Sequence, residues 1–145
     1  MTDNAIHGLN RLLADYHVIY QKSRNYHWNV TGELFFELHT RFEELYLVLA
    51  TRIDEIAERI LALGGKPAAS MGAYLELARL SEERETRDAR EMVAQLVEDM
   101  RAINGELKRA ILDAEERHDR VTANVLDAMH DEQAKTIWMF NAFLS

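Results

Sequence analysis

The segment NYHWNVTGELFFELHTRF, residues 25–42, holds the first interruption in an otherwise helical pattern. On its N-terminal side Ala5, Leu9, Leu12, Tyr16, Ile19 and Tyr26 recur in steps of three and four, with Ser23 filling the remaining slot of the stripe. On its C-terminal side Leu34, Leu38, Phe42, Leu45, Leu49, Ile53, Ile56, Ile60 and Leu63 keep the same spacing. Only Asn29-Val30-Thr31-Gly32 stands between the two stripes, and Thr31 is placed to cap the second helix. So short a link forces the two helices into an antiparallel hairpin.

A second hairpin follows by the same logic. Val93, Leu96, Met100, Ile103, Leu107, Ala110 and Ala114 make a third stripe, and Val121 to Leu144 a less regular fourth, with His118-Asp119 closing the link between them. The spacing predicts helices near 4–29, 33–63, 85–117 and 120–144. Asn104-Gly105 is a turn dipeptide, but the stripe runs on in phase from Ile103 to Leu107, so the third helix is read as continuous with a soft spot. Gly64-Gly65-Lys66-Pro67 ends the second helix, and the connection that follows is too long for a turn. Ser70 to Leu80 is expected to form a short helix within it. The second helix spans roughly 46 Å at 1.5 Å per residue, a length this crossover can return along. Two hairpins joined by one long crossover give an all-α, ferritin-like four-helix bundle, one domain over residues 1–145.

Composition agrees. In 145 residues there are one Pro, six Gly and no Cys, which leaves too few turn residues for a β sandwich and excludes disulfides, thiolate zinc sites and a Cys nucleophile. No apolar run reaches the roughly 18 residues of a membrane span, and MTDNAIHGLN lacks a basic region followed by an apolar stretch. The expectation is a cytoplasmic protein with no membrane partner. A formal charge of −8 argues against a free-standing nucleic-acid binder, and leaves solubility or cation attraction as its meaning.

Four side chains have metal-ligand chemistry: His27, His39, Asp54 and Glu58. Imidazole with carboxylate and no thiolate suits iron and also zinc. Asp54 and Glu58 are four apart and share a helix face, while His27 and His39 flank the hairpin break. His39 and Asp54, however, lie roughly 22 Å apart along one helix axis. Either these are two unrelated half-sites, or a second chain completes the site. An isologous contact between antiparallel copies of the second helix would set His39 of each chain beside Asp54 of the other. Leu47, Ala50, Ala57 and Leu61 share the carboxylate face, so this helix carries apolar residues on two sides and calls for a second cover. The plainer alternative is a solvated acidic face, with Glu58 paired to Arg59 or Arg52.

His27-Trp28-Asn29-Val30-Thr31-Gly32, followed by Phe35 and His39, resembles the first signature of the Dps family of mini-ferritins. Ile53-Asp54-Glu55-Ile56-Ala57-Glu58-Arg59, running on to Leu63-Gly64-Gly65-Lys66-Pro67, is similar to the second. The resemblance implies a hollow dodecamer of twofold dimers that oxidises Fe(II) with hydrogen peroxide or oxygen and stores Fe(III) mineral. It also implies that His27 and His39 of one subunit and Asp54 and Glu58 of its partner form the ferroxidase site, in agreement with the axial distance. Glu58 is then the candidate to bridge two ions, Glu43 a residue supporting the ligands, and Trp28 either an interceptor of stray oxidising equivalents or an interface residue.

The sequence offers two further candidate sites. Glu115-Glu116-Arg117-His118 contains the Glu-x-x-His string of the larger ferritins' intra-bundle site, but at a helix end and without matching interior acids. Asp113, Glu115, Glu116, Asp119 and Asp127 cluster at the same link, where acids of this family line iron-entry pores; an ordinary solvated helix end is the alternative. Basic tails before the first helix and after the last are missing, and twelve chains would carry a formal −96, so DNA binding is not expected. The rival readings are a structural bundle oligomer with a vestigial metal site and a non-enzymatic DNA-condensing protein.

Overall fold

The computed structural model describes residues 2–145, and its regular elements among those residues are all helices: α1 (Thr2–Asn29), α2 (Phe35–Ala62), α3 (Met71–Leu77), α4 (Ala89–Glu116) and α5 (Arg120–Leu144). α1 packs along α2 and α4 along α5, α4 also meets α1, and α3 lies against α1 on the crossover. The stripes converge on one core in which Leu12, Tyr16, Tyr26, Phe42, Ile56 and Met100 are fully buried. This is the expected four-helix bundle with a helical crossover. No helix among the described residues is long and apolar enough to cross a membrane.

Helix boundaries depart from the sequence pattern where tertiary contacts compete with it. Thr31 does not cap α2. It lies exposed in the turn, Leu34 takes the cap position without a side-chain bond, and the turn is closed by the Phe35 N–H donating to the Gly32 carbonyl at 3.1 Å. α3 stops at Leu77, short of Leu80, because the N–H groups of Arg79 and Leu80 donate to one oxygen of the buried Asp15 carboxylate at 2.6 and 3.1 Å. Arg79 Nε donates to the other oxygen at 2.9 Å, so one acid on α1 captures the crossover backbone that a helix would need. α4 begins at Ala89, four residues later than the stripe implied, behind an Asp88–Glu91 capping box. Asn104-Gly105 leaves α4 unbroken: Ile103 and Leu107 are buried on either side, and the Asn104 side chain bonds to α5.

Two helix ends fix the links. α2 closes with Gly64 at φ +85°, the Gly64 and Gly65 N–H groups reaching back to the Leu61 and Ile60 carbonyls, the Schellman pattern. Gly65 has no room for a side chain, since an added Cβ would lie 2.7 Å from Ile6. α4 closes in the same way, but with His118 in the left-handed position at φ +59°.

Candidate metal centre

His27 occupies the last turn of α1 and His39 the second turn of α2, and the hairpin brings their rings into a stack 3.8 Å apart and 13° from parallel. Each ring is fastened to the other residue's backbone. His27 Nδ1 lies 2.6 Å from the His39 carbonyl, and His39 Nδ1 lies 2.7 Å from the His27 carbonyl. The His27 carbonyl is free for this because α1 ends at Asn29 and leaves its last carbonyls without helical partners. A carbonyl only accepts, so each Nδ1 carries a proton, and the neutral ring then leaves its Nε2 lone pair for a metal. The reciprocal lock sets tautomer and orientation together, as an outer-shell hydrogen bond does in metal sites generally. Glu43, one turn beyond His39, places a carboxylate oxygen 3.8 Å from His27 Nε2.

Asp54 and Glu58 sit on the exposed face of α2, one turn apart. Neither takes part in a hydrogen bond or ion pair among the described residues. Arg52 is unavailable to Glu58, because it turns inward to donate to Gln133 at 2.8 Å and to pair with Glu132 at 3.6 Å. The single chain therefore holds a bidentate nitrogen half-site and a separate, unengaged carboxylate half-site. Among the described residues no three His or acidic side chains converge on one ion. Around the two half-sites the surface is apolar: Trp28, Phe36, Leu47 and Leu61 are 55%, 84%, 56% and 58% exposed. Phe36, Leu47 and Leu61 recur on one face of α2, a placement that suits an interaction surface.

The bundle interior is occupied differently. Lys22 and Asp99 form a buried ion pair at 2.7 Å, with Gln95 donating to the second Asp99 oxygen at 3.0 Å. Burial pushes the Asp99 carboxyl up, against the opposing pull of Lys22. Arg52 and the Tyr16 hydroxyl both donate to Gln133 Oε1, and Gln133 Nε2 donates to the Met100 carbonyl and to Asn104. Burial carries the Tyr16 hydroxyl up to about 12 in spite of Arg52. A buried ammonium and a buried guanidinium fill the space where a metal would need anionic ligands. His118 of the Glu-x-x-His string lies outside the helices, exposed in the α4–α5 link.

The ferritin-like domain family matches residues 6–145. Over 145 residues the chain is 43% identical to DNA protection during starvation protein 2 of Bacillus anthracis, covering 100% of this chain and 99% of that relative. The crystal structure of a Dps protein from Bacillus brevis superposes with a TM-score of 0.97 at 43% identity, covering 99% of this chain and 97% of the other. The chain belongs to the Dps family. A Dps protein from Vibrio cholerae, described as a member of a broad superfamily of ferritin-like diiron-carboxylate proteins, superposes equally well: TM-score 0.97 at 38% identity, over 99% of this chain and 91% of that one.

The acids at the α4–α5 link of this Dps chain fall into two groups. Asp119 is the α5 N-cap, accepting from the Thr122 N–H at 3.1 Å and from its hydroxyl at 2.5 Å. Burial opposes its charge, but the two Thr122 bonds, with Arg59 and Arg117 nearby, hold Asp119 below the usual carboxylate range. Asp113 pairs with Arg117 at 3.1 Å. Glu115 and Asp127 instead line a cleft of about 680 Å³ with His118, Arg120 and Asn124, and Glu116 is exposed beside it.

Two aromatic side chains flank the His pair: Phe35, which belongs to the first signature, and Tyr46, which no motif marked. Phe35 stacks on His39 at 4.9 Å and Tyr46 meets His27 edge-on at 5.3 Å. Their spacing contained the signal, since Phe35, His39 and Tyr46 stand at i, i+4 and i+11 on one helix face.

Proposed function

We propose that the protein is a ferroxidase and iron store that protects against peroxide, its sites formed across a twofold dimer within a dodecameric shell. The observation that carries this reading is the reciprocal His27–His39 lock, which uses both Nδ1 atoms and leaves two imidazole Nε2 lone pairs for a metal, while the complementary carboxylates lie at the far end of α2. Imidazole nitrogen and carboxylate oxygen fit Fe(II), which is the substrate here, and accept zinc as a competitor. Joined in antiparallel pairs, two α2 helices bring one chain's His27 and His39 to the other's Asp54 and Glu58, twice per dimer. Glu58 is suited to bridge two ions, and Glu43 to receive a proton or a water beside His27.

Two Fe(II) then give peroxide both of its electrons at once: two Fe(II), one H₂O₂ and two protons become two Fe(III) and two waters. No hydroxyl radical leaves the site. The residues' part is to hold both ions next to each other, and the two aspartate and glutamate charges offset the charge gained on oxidation. Glu115 and Asp127, with the free carboxylate of Glu116, are the acids suited to line an entry path for cations, whereas Asp113 and Asp119 are held by Arg117 and Thr122. The formal charge of −8 per chain opposes binding to the phosphates of DNA, and DNA is not part of this reading.

The test is anaerobic loading with Fe(II), then peroxide, followed by near-ultraviolet absorbance and by elution volume. Rapid oxidation with retention of a soluble shell is expected. Asp54→Ala combined with Glu58→Ala should remove the fast phase and leave the shell intact; unchanged kinetics in that variant would sink the assignment.

A further inference from the structure

The five tyrosines do not have equivalent surroundings. Tyr16 and Tyr26 are fully buried, and their hydroxyls donate to Gln133 and Glu83. Tyr74 stacks on His17 at 3.7 Å, away from the His27–His39 pair. Tyr46 and Tyr20 are half-buried, and among the described residues their hydroxyls have no hydrogen-bond partner. They also form a line leading out of the half-site. The Tyr46 ring meets His27 edge-on at 5.3 Å and 78°, and Tyr20 meets Tyr46 edge-on at 6.0 Å and 90°. Beyond Tyr20, the Arg24 guanidinium lies 5.4 Å from the Tyr20 ring centre and 4.9 Å from that of Trp28.

We infer that Tyr46, with Tyr20 behind it, is an electron donor to the His27–His39 half-site when only one Fe(II) is bound there. The inference rests on the ferroxidase reading above. Peroxide takes two electrons and a single Fe(II) supplies one, so a half-filled site leaves a hydroxyl-radical equivalent. Tyr46 supplies the missing electron together with its phenolic hydrogen. One Fe(II), one H₂O₂, one proton and the Tyr46 phenol give one Fe(III), two waters and a neutral Tyr46 phenoxyl radical. The O–O bond of peroxide breaks, one oxygen taking its electron from iron and the other taking its hydrogen atom from tyrosine. Tyr20 can then pass a hydrogen atom to Tyr46 and carry the radical outward. Arg24 separates this route from Trp28. A cation held over an indole disfavours a positively charged indole radical, whereas a phenol that loses its proton stays neutral.

The assay is electron paramagnetic resonance on the intact oligomer, loaded anaerobically with less than one Fe(II) per half-site, mixed with hydrogen peroxide and freeze-quenched. A tyrosyl signal is expected, narrowed when the protein carries ring-deuterated tyrosine. Tyr46→Phe should lose it, Tyr20→Phe should keep it on Tyr46 with a changed lifetime, and Trp28→Phe should retain it. The deuterium arm needs no variant, so a Tyr46→Phe protein that fails to assemble does not remove the test. A signal that persists in Tyr46→Phe, or one lost only in Trp28→Phe, overturns the assignment. Wild-type protein that oxidises Fe(II) rapidly at full loading but gives no tyrosyl signal at low loading overturns it and leaves the ferroxidase intact. Wild-type protein that oxidises no iron at either loading overturns both.

Discussion

A site divided between two copies of one helix makes an arithmetic demand on mixed oligomers. Consider one variant lacking its imidazoles, His27→Ala with His39→Ala, and a second lacking its carboxylates, Asp54→Ala with Glu58→Ala. Each alone should be inactive, because every site in its dimers is missing half its ligands. In a dimer containing one chain of each kind, one site loses all its ligands and the other receives intact imidazoles from one chain and intact carboxylates from the other. Random pairing of equal amounts makes half the dimers mixed, so about a quarter of all sites should be whole. The separation behind this is roughly 22 Å along α2 between His39 and Asp54, too far for one chain to bridge. Co-expression of the two variants, confirmation of equal incorporation by mass spectrometry, and anaerobic Fe(II) followed by peroxide supply the assay. Recovery of about a quarter of the wild-type fast phase per subunit is the outcome the geometry requires. Inactivity of the mixed oligomer, with both chains present in equal amounts, would refute the shared site. Activity in either pure variant would show that its missing pair is not needed.

Other expectations follow from the buried polar groups. Lys22→Met alone should strand the buried Asp99 charge and cost about 3–5 kcal/mol, read from denaturant unfolding at fixed protein concentration. Lys22→Met with Asp99→Leu should recover most of that loss; a double variant as weak as the single one would contradict the pairing. Asp119→Ala should destabilise α5 by about 0.5–2 kcal/mol at neutral pH through loss of the cap. Since Asp119 titrates lower in the folded protein than in the unfolded chain, its contribution is full above the ordinary carboxylate range and fades as pH falls through the folded value. The gap in Tm between wild type and Asp119→Ala should therefore narrow on acidification, and a gap that widens would reverse the sign of the argument.

Much of this was legible in the sequence because period, spacing and helix length are local quantities. The stripe from Ala5 to Tyr26 is buried throughout, and the distance between His39 and Asp54 follows from rise per residue alone. What was not legible depends on partners distant in sequence. Ser70 to Leu80 has a helical pattern to its end, but Asp15, more than sixty residues away, takes the N–H groups of Arg79 and Leu80. Thr31 has the chemistry of a cap and lies where none is made, since the turn uses a backbone bond instead. Asp119 resembled its acidic neighbours in charge, and only the Thr122 bonds separate it from Glu115 and Asp127. The His27–His39 lock needed the His27 carbonyl, whose availability depends on where α1 ends, and a hairpin that brings it against the His39 ring on α2.

The interior polar groups oppose a metal site inside the bundle and so favour the proposed one outside it. A helical bundle usually builds its metal site inside, from acids and imidazoles on facing helices. Here the buried charged side chains include Lys22 with Asp99 and Arg52 against the Gln133 amide, and the buried Asp15 carboxylate is taken by Arg79 and Leu80 of the crossover. Both cations are fixed by hydrogen bonds, so a metal ion entering the bundle would meet positive charge and no free carboxylate. The unengaged carboxylates, Asp54 and Glu58, lie on the outer face of α2, while of the imidazoles His39 is half-buried and His27 buried. Neither half-site has enough ligands to compete with water for iron. Under the proposed function a lone chain is therefore inactive toward peroxide, and assembly creates the site in the act of covering Leu47, Leu61, Trp28 and Phe36. On that reading, oxidation is confined to protein already assembled into a shell that can hold the product.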